Sequence, residues 1–184
     1  PSTTDFGDGN HSLTVTPRQE ADITALSGVG YTFGKGTDNL TINLNKENQT
    51  GLKNAWVDLG AGANSLSVTG GGKVGATALK GGAGAGEGAL VKGGAGVEKI
   101  TLSGVETGLD NAHLDLGAGN NIVDISASAK ALTNGASIVT GAGADKINVS
   151  GVISASSIDT GHGNDTLTLG KVTDAATISL GEGK

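Results

Sequence analysis

The sequence predicts an all-β chain of stacked parallel strands, a β-solenoid of about seven to eight coils with glycine turns on one side and variable loops on the other. Three observations point there. A glycine-rich turn recurs along the whole chain, a pair of aliphatic residues two apart follows every turn, and aromatic residues are nearly absent, with one Trp, one Tyr and two Phe. Glycine supplies 34 of the 184 residues, against a usual share of about 7%.

The clearest copy of the turn reads GHGNDTLTL from Gly161, and it recurs as GAGADKINV from Gly141. Weaker copies begin at Gly117 (GAGNNIVDI), Gly94 (GAGVEKITL), Gly60 (GAGANSLSV), Gly34 (GKGTDNLTI) and Gly7 (GDGNHSLTV). After each turn stand Leu13/Val15, Leu40/Ile42, Leu66/Val68, Ile100/Leu102, Val123/Ile125, Ile147/Val149 and Leu167/Leu169, with a polar residue between the two. That alternation is a strand with one buried face. A second alternating pair precedes the turn, as in Val57/Leu59, Leu114/Leu116 and Ile158/Thr160. Each coil is therefore expected to hold a strand, a tight glycine turn, a second strand and a looser return. One such unit cannot bury its own apolar face, so neighbours must stack. At about 4.8 Å per strand, seven to eight coils give a rod roughly 35–40 Å long.

The whole chain, 1–184, is expected to form one domain. Residues 80–96, nearly free of side chains, are expected to form a glycine-rich loop, and no helix is expected. The chain opens without Met and stops at Gly181-Glu182-Gly183-Lys184 inside an eighth copy, so a fragment of a longer chain is expected.

A formal charge of -6 with Arg18 as the only arginine argues against nucleic acid and anionic membranes as partners. Without cysteine there is no disulfide, zinc-thiolate or thiol chemistry. The three histidines, His11, His113 and His162, belong to no metalloprotease or nucleophile-elbow motif. No enzyme activity is expected.

The pattern G-x-G-x-D-x-L-x-aliphatic resembles the RTX (repeats-in-toxin) nonapeptide of secreted Gram-negative proteins, most closely at 141–149 and 161–169. The resemblance implies a parallel β-roll, calcium in the glycine turns and type I secretion. The chain departs from the pattern: the family's first glycine is replaced by Phe6, Phe33, Leu59, Leu116, Thr140, Thr160 and Leu180, and kept only as Gly93. Its acidic position reads His11, Asp38, Asn64, Glu98, Asn121, Asp145 and Asp165. This is closer to divergent RTX-like segments of large adhesins and surface-layer proteins than to a toxin's repeat block.

The implied ion is Ca²⁺, held between successive turns by backbone carbonyls and acidic side chains. The best set is Gly141, Gly143 and Asp145 with Gly161, Gly163 and Asp165; Asp38 and Glu98 mark earlier turns. Asp5, Asp58, Asp115 and Asp159, two residues before the turn, would add ligands or be plain exposed strand residues. A second reading stands beside this one: Asp and Asn side chains bond turn backbone with no ion at all.

The function expected is an extracellular structural or adhesive module of the bacterial cell surface: a rigid spacer, or an assembly subunit of an adhesin, surface layer or biofilm-matrix filament. Its partners would be neighbouring domains of the same polypeptide, like subunits, or cell-surface polysaccharide. The alternatives are a non-catalytic domain of a secreted polysaccharide-active enzyme and an ice-binding solenoid.

Overall fold

The computed structural model describes residues 2–82, 88–173 and 175–183. They contain strands, turns and bends and no helix, so no helix among them is long and apolar enough to cross a membrane. Every strand pairing is parallel, and the strands fall into two sheets.

The first sheet has eight strands in chain order. They are Thr3–Asp5, Gly30–Thr32, Trp56–Asp58, Ala89–Lys92, Ala112–Asp115, Ser137–Val139, Ser157–Asp159 and Thr177–Ser179. A glycine turn carries the chain from each of the first seven into the second sheet, which has eleven strands. There Ser12–Val15, Asn39–Asn43, Ala61–Thr69, Gly96–Asp110, Ile122–Thr133, Lys146–Ile153 and Thr166–Val172 pair in sequence.

The second sheet bends. Its long strands shift register between Ser103 and Val105, between Ser126 and Lys130, and between Val149 and Val152. An extra residue on one strand bends the ladder locally. Beyond the bend the long strands continue a ladder started by three short ones, Thr24–Ser27, Thr50–Lys53 and Thr77–Lys80.

The register places like on like. Leu13, Leu40, Leu66, Ile100, Val123, Ile147 and Leu167 form one column. Val15, Ile42, Val68, Leu102, Ile125, Val149 and Leu169 form the next. Across the interior run Tyr31, Val57, Val91, Leu114, Ile138, Ile158 and Ile178. Past the bend, Leu26, Leu52, Leu79, Leu109, Leu132 and Ile153 make a fourth column. Nearly all of these side chains are buried except at the two ends. Full burial of one such side chain is worth about 1.5–3 kcal/mol, so the stacked columns dominate the stability.

Two expectations change. The return from the second sheet is not a loose loop throughout, because it carries the fourth column's strands. It closes through a left-handed corner at Gly28, Asn54, Asn111, Asn134, Ala155 and Ala175, whose φ values lie between 45° and 61°. Asn tolerates that region better than other side-chain-bearing residues, which accounts for three of the six. The glycine-rich segment 80–96 is also not one loop. Lys80 ends a strand, Ala89–Lys92 is a strand of the first sheet, and Gly96 opens another. Residues 83–87 lie outside the described residues.

Candidate functional site

The residues to which the sequence assigns chemistry converge on one column at the start of the second sheet. His11, Asp38, Asn64, Glu98, Asn121, Asp145 and Asp165 each follow a glycine turn and precede the first aliphatic rung by two. Period-two alternation therefore puts them on the same inward face as Leu40 or Ile147. Asp38, Glu98 and Asn121 are completely buried, and Asp145 and Asn64 nearly so.

A hydrogen-bond ladder links them. In five of the six steps along the column the backbone N–H donates to the side-chain oxygen of its counterpart in the next repeat: His11 to Asp38 Oδ1 at 2.8 Å, Asp38 to Asn64 Oδ1 at 3.0 Å, and Glu98 to Asn121 Oδ1 at 3.0 Å. Asn121 donates to Asp145 Oδ1 at 2.6 Å and Asp145 to Asp165 Oδ1 at 2.9 Å. At the N-terminal end the His11 ring adds a contact from Nδ1 to Asp38 Oδ1 at 2.8 Å, and lies against Phe6 and Phe33.

The other oxygen of each acid is less well served. Asp38 Oδ2, Glu98 Oε2, Asp145 Oδ2 and Asp165 Oδ2 are buried and find no hydrogen-bond partner among the described residues. Burial pushes the Glu98 carboxyl above its usual range, against bonds from Gly94 and Asn64 that favour the charged form. Burial likewise raises Asp145, opposed by the Asn121 N–H and Thr140, and the charge of Asp165 adds to the rise.

Asn121 shows what surrounds that second atom. Its Nδ2 donates to Thr140 O at 2.9 Å and lies 3.5 Å and 3.4 Å from Gly117 O and Gly119 O. Carbonyl oxygens thus face the outer end of the side chain. Glu98, longer by one methylene, is accommodated by the retained glycine before its turn: a methyl on Gly93 would fall 2.6 Å from Glu98 Cγ.

The glycine turns stack on one another through their backbone. Ala95, Ala118, Ala142, His162 and Glu182 bridge one to the next, continuing the backbone ladder through the turns. Gly141 O accepts His162 N–H at 2.8 Å, His162 O accepts Gly143 N–H at 2.9 Å, and Glu182 O accepts Gly163 N–H at 3.1 Å. The turns also touch: a methyl on Gly163 would lie 1.5 Å from Gly143 O, and one on Gly143 1.9 Å from Gly119 O. Gly141 O, Gly161 O and the N–H groups of Gly143 and Gly163 are therefore used in backbone stacking. Asp145 and Asp165 turn inward, and their Oδ2 atoms are left without a hydrogen-bond partner among the described residues. No group of three or more His, Asp or Glu side chains among the described residues is placed to hold a metal.

The carboxylates before the turns cap them. Asp5 Oδ1 accepts Gly7 N–H at 2.9 Å, Asp58 Oδ1 accepts Gly60 N–H at 3.0 Å, and Asp159 Oδ1 accepts Gly161 N–H at 3.1 Å. His113 Nδ1 lies 2.8 Å from Ser137 Oγ. His162 is exposed, with Glu182 at 4.0 Å.

One functional residue escaped the sequence reading. Gln49 is fully buried. Its Oε1 accepts the N–H groups of Asn45 and Lys46, and its Nε2 donates to Arg18 O and Glu20 O. It ties two long excursions of the chain together. No local pattern marks it, since two of its four partners lie about thirty residues away.

No protein-family model matches the chain, and comparison with curated proteins and with solved structures likewise finds no match.

Proposed function

We propose that the chain is a rigid structural module, wound as a single β-solenoid of stacked coils and serving as a spacer or assembly unit at a bacterial cell surface. The observation that carries this reading is the unbroken run of parallel pairing from Thr3 to Ser179 in the first sheet, matched by aliphatic columns in the second. Such a body resists bending because every repeat is bonded to its neighbours along its whole length.

The surface supports a mechanical role better than a chemical one. Two surface hollows, of about 290 and 270 Å³, are lined by Ala21, Lys46, Glu47 and Lys73 and by Gly163, Asn164, Asp165, Leu180, Gly181 and Gly183. Neither brings together a nucleophile, a base and an orienting group. Among the described residues, the strands Thr3–Asp5 and Thr177–Ser179 at the edges of the first sheet each pair on one side. A sheet edge of this kind pairs with another strand, which suits a neighbouring domain or a like subunit. The kinship with RTX-like adhesin and surface-layer segments, and the extracellular setting, rest on the repeat motif.

Small-angle scattering tests the reading. A rigid rod of roughly 35–40 Å stacked length is expected, with no change in cross-section over a wide concentration of salt. A flexible or globular profile would refute it.

Ice binding is a second reading with an observation of its own. Thr24, Thr50, Thr77 and Thr107 are in register, beside Thr14, Thr41, Ser67 and Thr101. The two columns break at Lys130 and Asp124. Thermal hysteresis in a freezing assay would favour it over the spacer.

A further inference from the structure

We propose that the acid and amide column is an ion-free hydrogen-bond ladder in which aspartate and asparagine do the same work, replacing the turn-bound calcium that the repeat motif implies. Three observations lead there. First, the side-chain oxygen that reaches back to the preceding repeat is an aspartate oxygen at Asp38, Asp145 and Asp165 and an amide oxygen at Asn64 and Asn121, with the same donor and nearly the same length, 2.6–3.0 Å. The sequence already alternates the two residue types in one structural position, and the ladder runs through both.

Second, the turns are joined to one another by their own backbone. The turns are in backbone contact and their carbonyls accept N–H groups from the next repeat. A calcium ion needs six to eight oxygens at 2.3–2.6 Å, and two of the turn carbonyls in the implied set, Gly141 O and Gly161 O, already accept the N–H groups of His162 and Glu182.

Third, the second atom of the side chain sits among acceptors. At Asn121 it is an NH₂ that donates to Thr140 O and faces Gly117 O and Gly119 O. One repeat later the side chain offers Oδ2 of Asp145, which has no hydrogen-bond partner among the described residues. An amide satisfies that position directly, and a carboxyl group satisfies it only as a neutral acid donating its proton. The ladder therefore favours Asn over a charged Asp at every buried rung.

The test is the thermal midpoint of the full chain and of the Asp145→Asn and Asn121→Asp variants at neutral pH, each measured with millimolar calcium chloride and with excess chelator. The expected result is a midpoint for Asp145→Asn at least equal to that of the parent, higher by about 2–4 °C if the new amide gains one net hydrogen bond. Asn121→Asp is expected to fall by several degrees, because it adds a buried acid between Glu98 and Asp145. Calcium and chelator are expected to change none of the three. A lower midpoint for Asp145→Asn, or a chelator-induced drop in the parent that calcium reverses, would overturn the proposal. Titration calorimetry with calcium alone gives a readout independent of folding: no heat is expected, and stoichiometric binding to the parent that is lost in Asp145→Asn would overturn it as well.

Discussion

Leu102 and Leu169 occupy the same column, three rungs apart, and differ in their cover. Leu102 is completely buried between Val68 and Ile125, whereas Leu169 is partly exposed in the last complete rung. Replacing each by alanine deletes the same atoms. At Leu102 the lost transfer free energy is about 2.4 kcal/mol for three methylene equivalents. A cavity that two stiff ladders cannot close adds to it, giving about 3–4 kcal/mol. At Leu169 one side is already open, so water fills part of the gap and the cost falls to about 1 kcal/mol. For a chain of this length the central variant should lose about 8–12 °C in thermal midpoint and the terminal one about 2–4 °C. Urea unfolding followed by circular dichroism and by Trp56 fluorescence measures both, and coincidence of the two probes tests whether the stack unfolds as one unit. Equal losses for the two variants would refute the idea that stability comes from continuous buried columns.

Further outcomes follow from single features. Glu98 and Asp145 have carboxyl groups raised by burial, so the folded state holds their protons more tightly than the unfolded chain does. Their contribution to stability is full in acid, below the unfolded values, and is lost as pH rises through the raised folded values. The urea midpoint should therefore decline as pH rises above the ordinary carboxyl range, and the Glu98→Gln/Asp145→Asn double variant should flatten that decline; a midpoint that rises with pH in the parent would contradict the assignment. Gln49→Ala strands two N–H groups and two carbonyls and should cost about 2–4 kcal/mol, with hydrogen exchange accelerated first at Asn45 and Lys46; unchanged protection there would show that the clamp is unimportant. Ala155 holds φ at 45° in the corner that Asn and Gly fill in other repeats, so Ala155→Asn should stabilise by about 0.5–1 kcal/mol in the same urea assay, and destabilisation would argue against that corner geometry.

Much of this was legible in the sequence, for a physical reason. A turn followed by two aliphatic residues two apart encodes both a strand and its inward face, and the copies fix the register, as with Ile147 over Leu167. The fourth column was not legible. In Thr50–Lys53 and Thr77–Lys80 two successive residues are buried, because Gly51 and Ala78 are small enough to sit inside near the bend. That erases period-two alternation, although the recurring Thr-Gly-Leu and Thr-Ala-Leu is visible once its meaning is known. In the sequence the acidic column belongs to the turn motif, and its inward direction comes from the strand that follows. Counting by twos from Ile147 and Val149 places Asp145 indoors with them, and its 1% exposure agrees. Gly93 beside Glu98 is a further legible pairing: the only repeat that keeps the extra glycine is the one with the longer acid.

The register itself can be tested with a disulfide, since the chain has no cysteine of its own. Thr101 and Asp124 face outward as direct partners on adjacent parallel strands. Their Cα atoms should lie about 4.8 Å apart, within the range a disulfide spans. Thr101→Cys/Asp124→Cys should close an intramolecular bond under mild oxidation in the folded chain, while Thr101→Cys/Ile125→Cys, which places the second thiol on the inner face, should not. Closure of the second pair in preference to the first would contradict the stacked, in-register account.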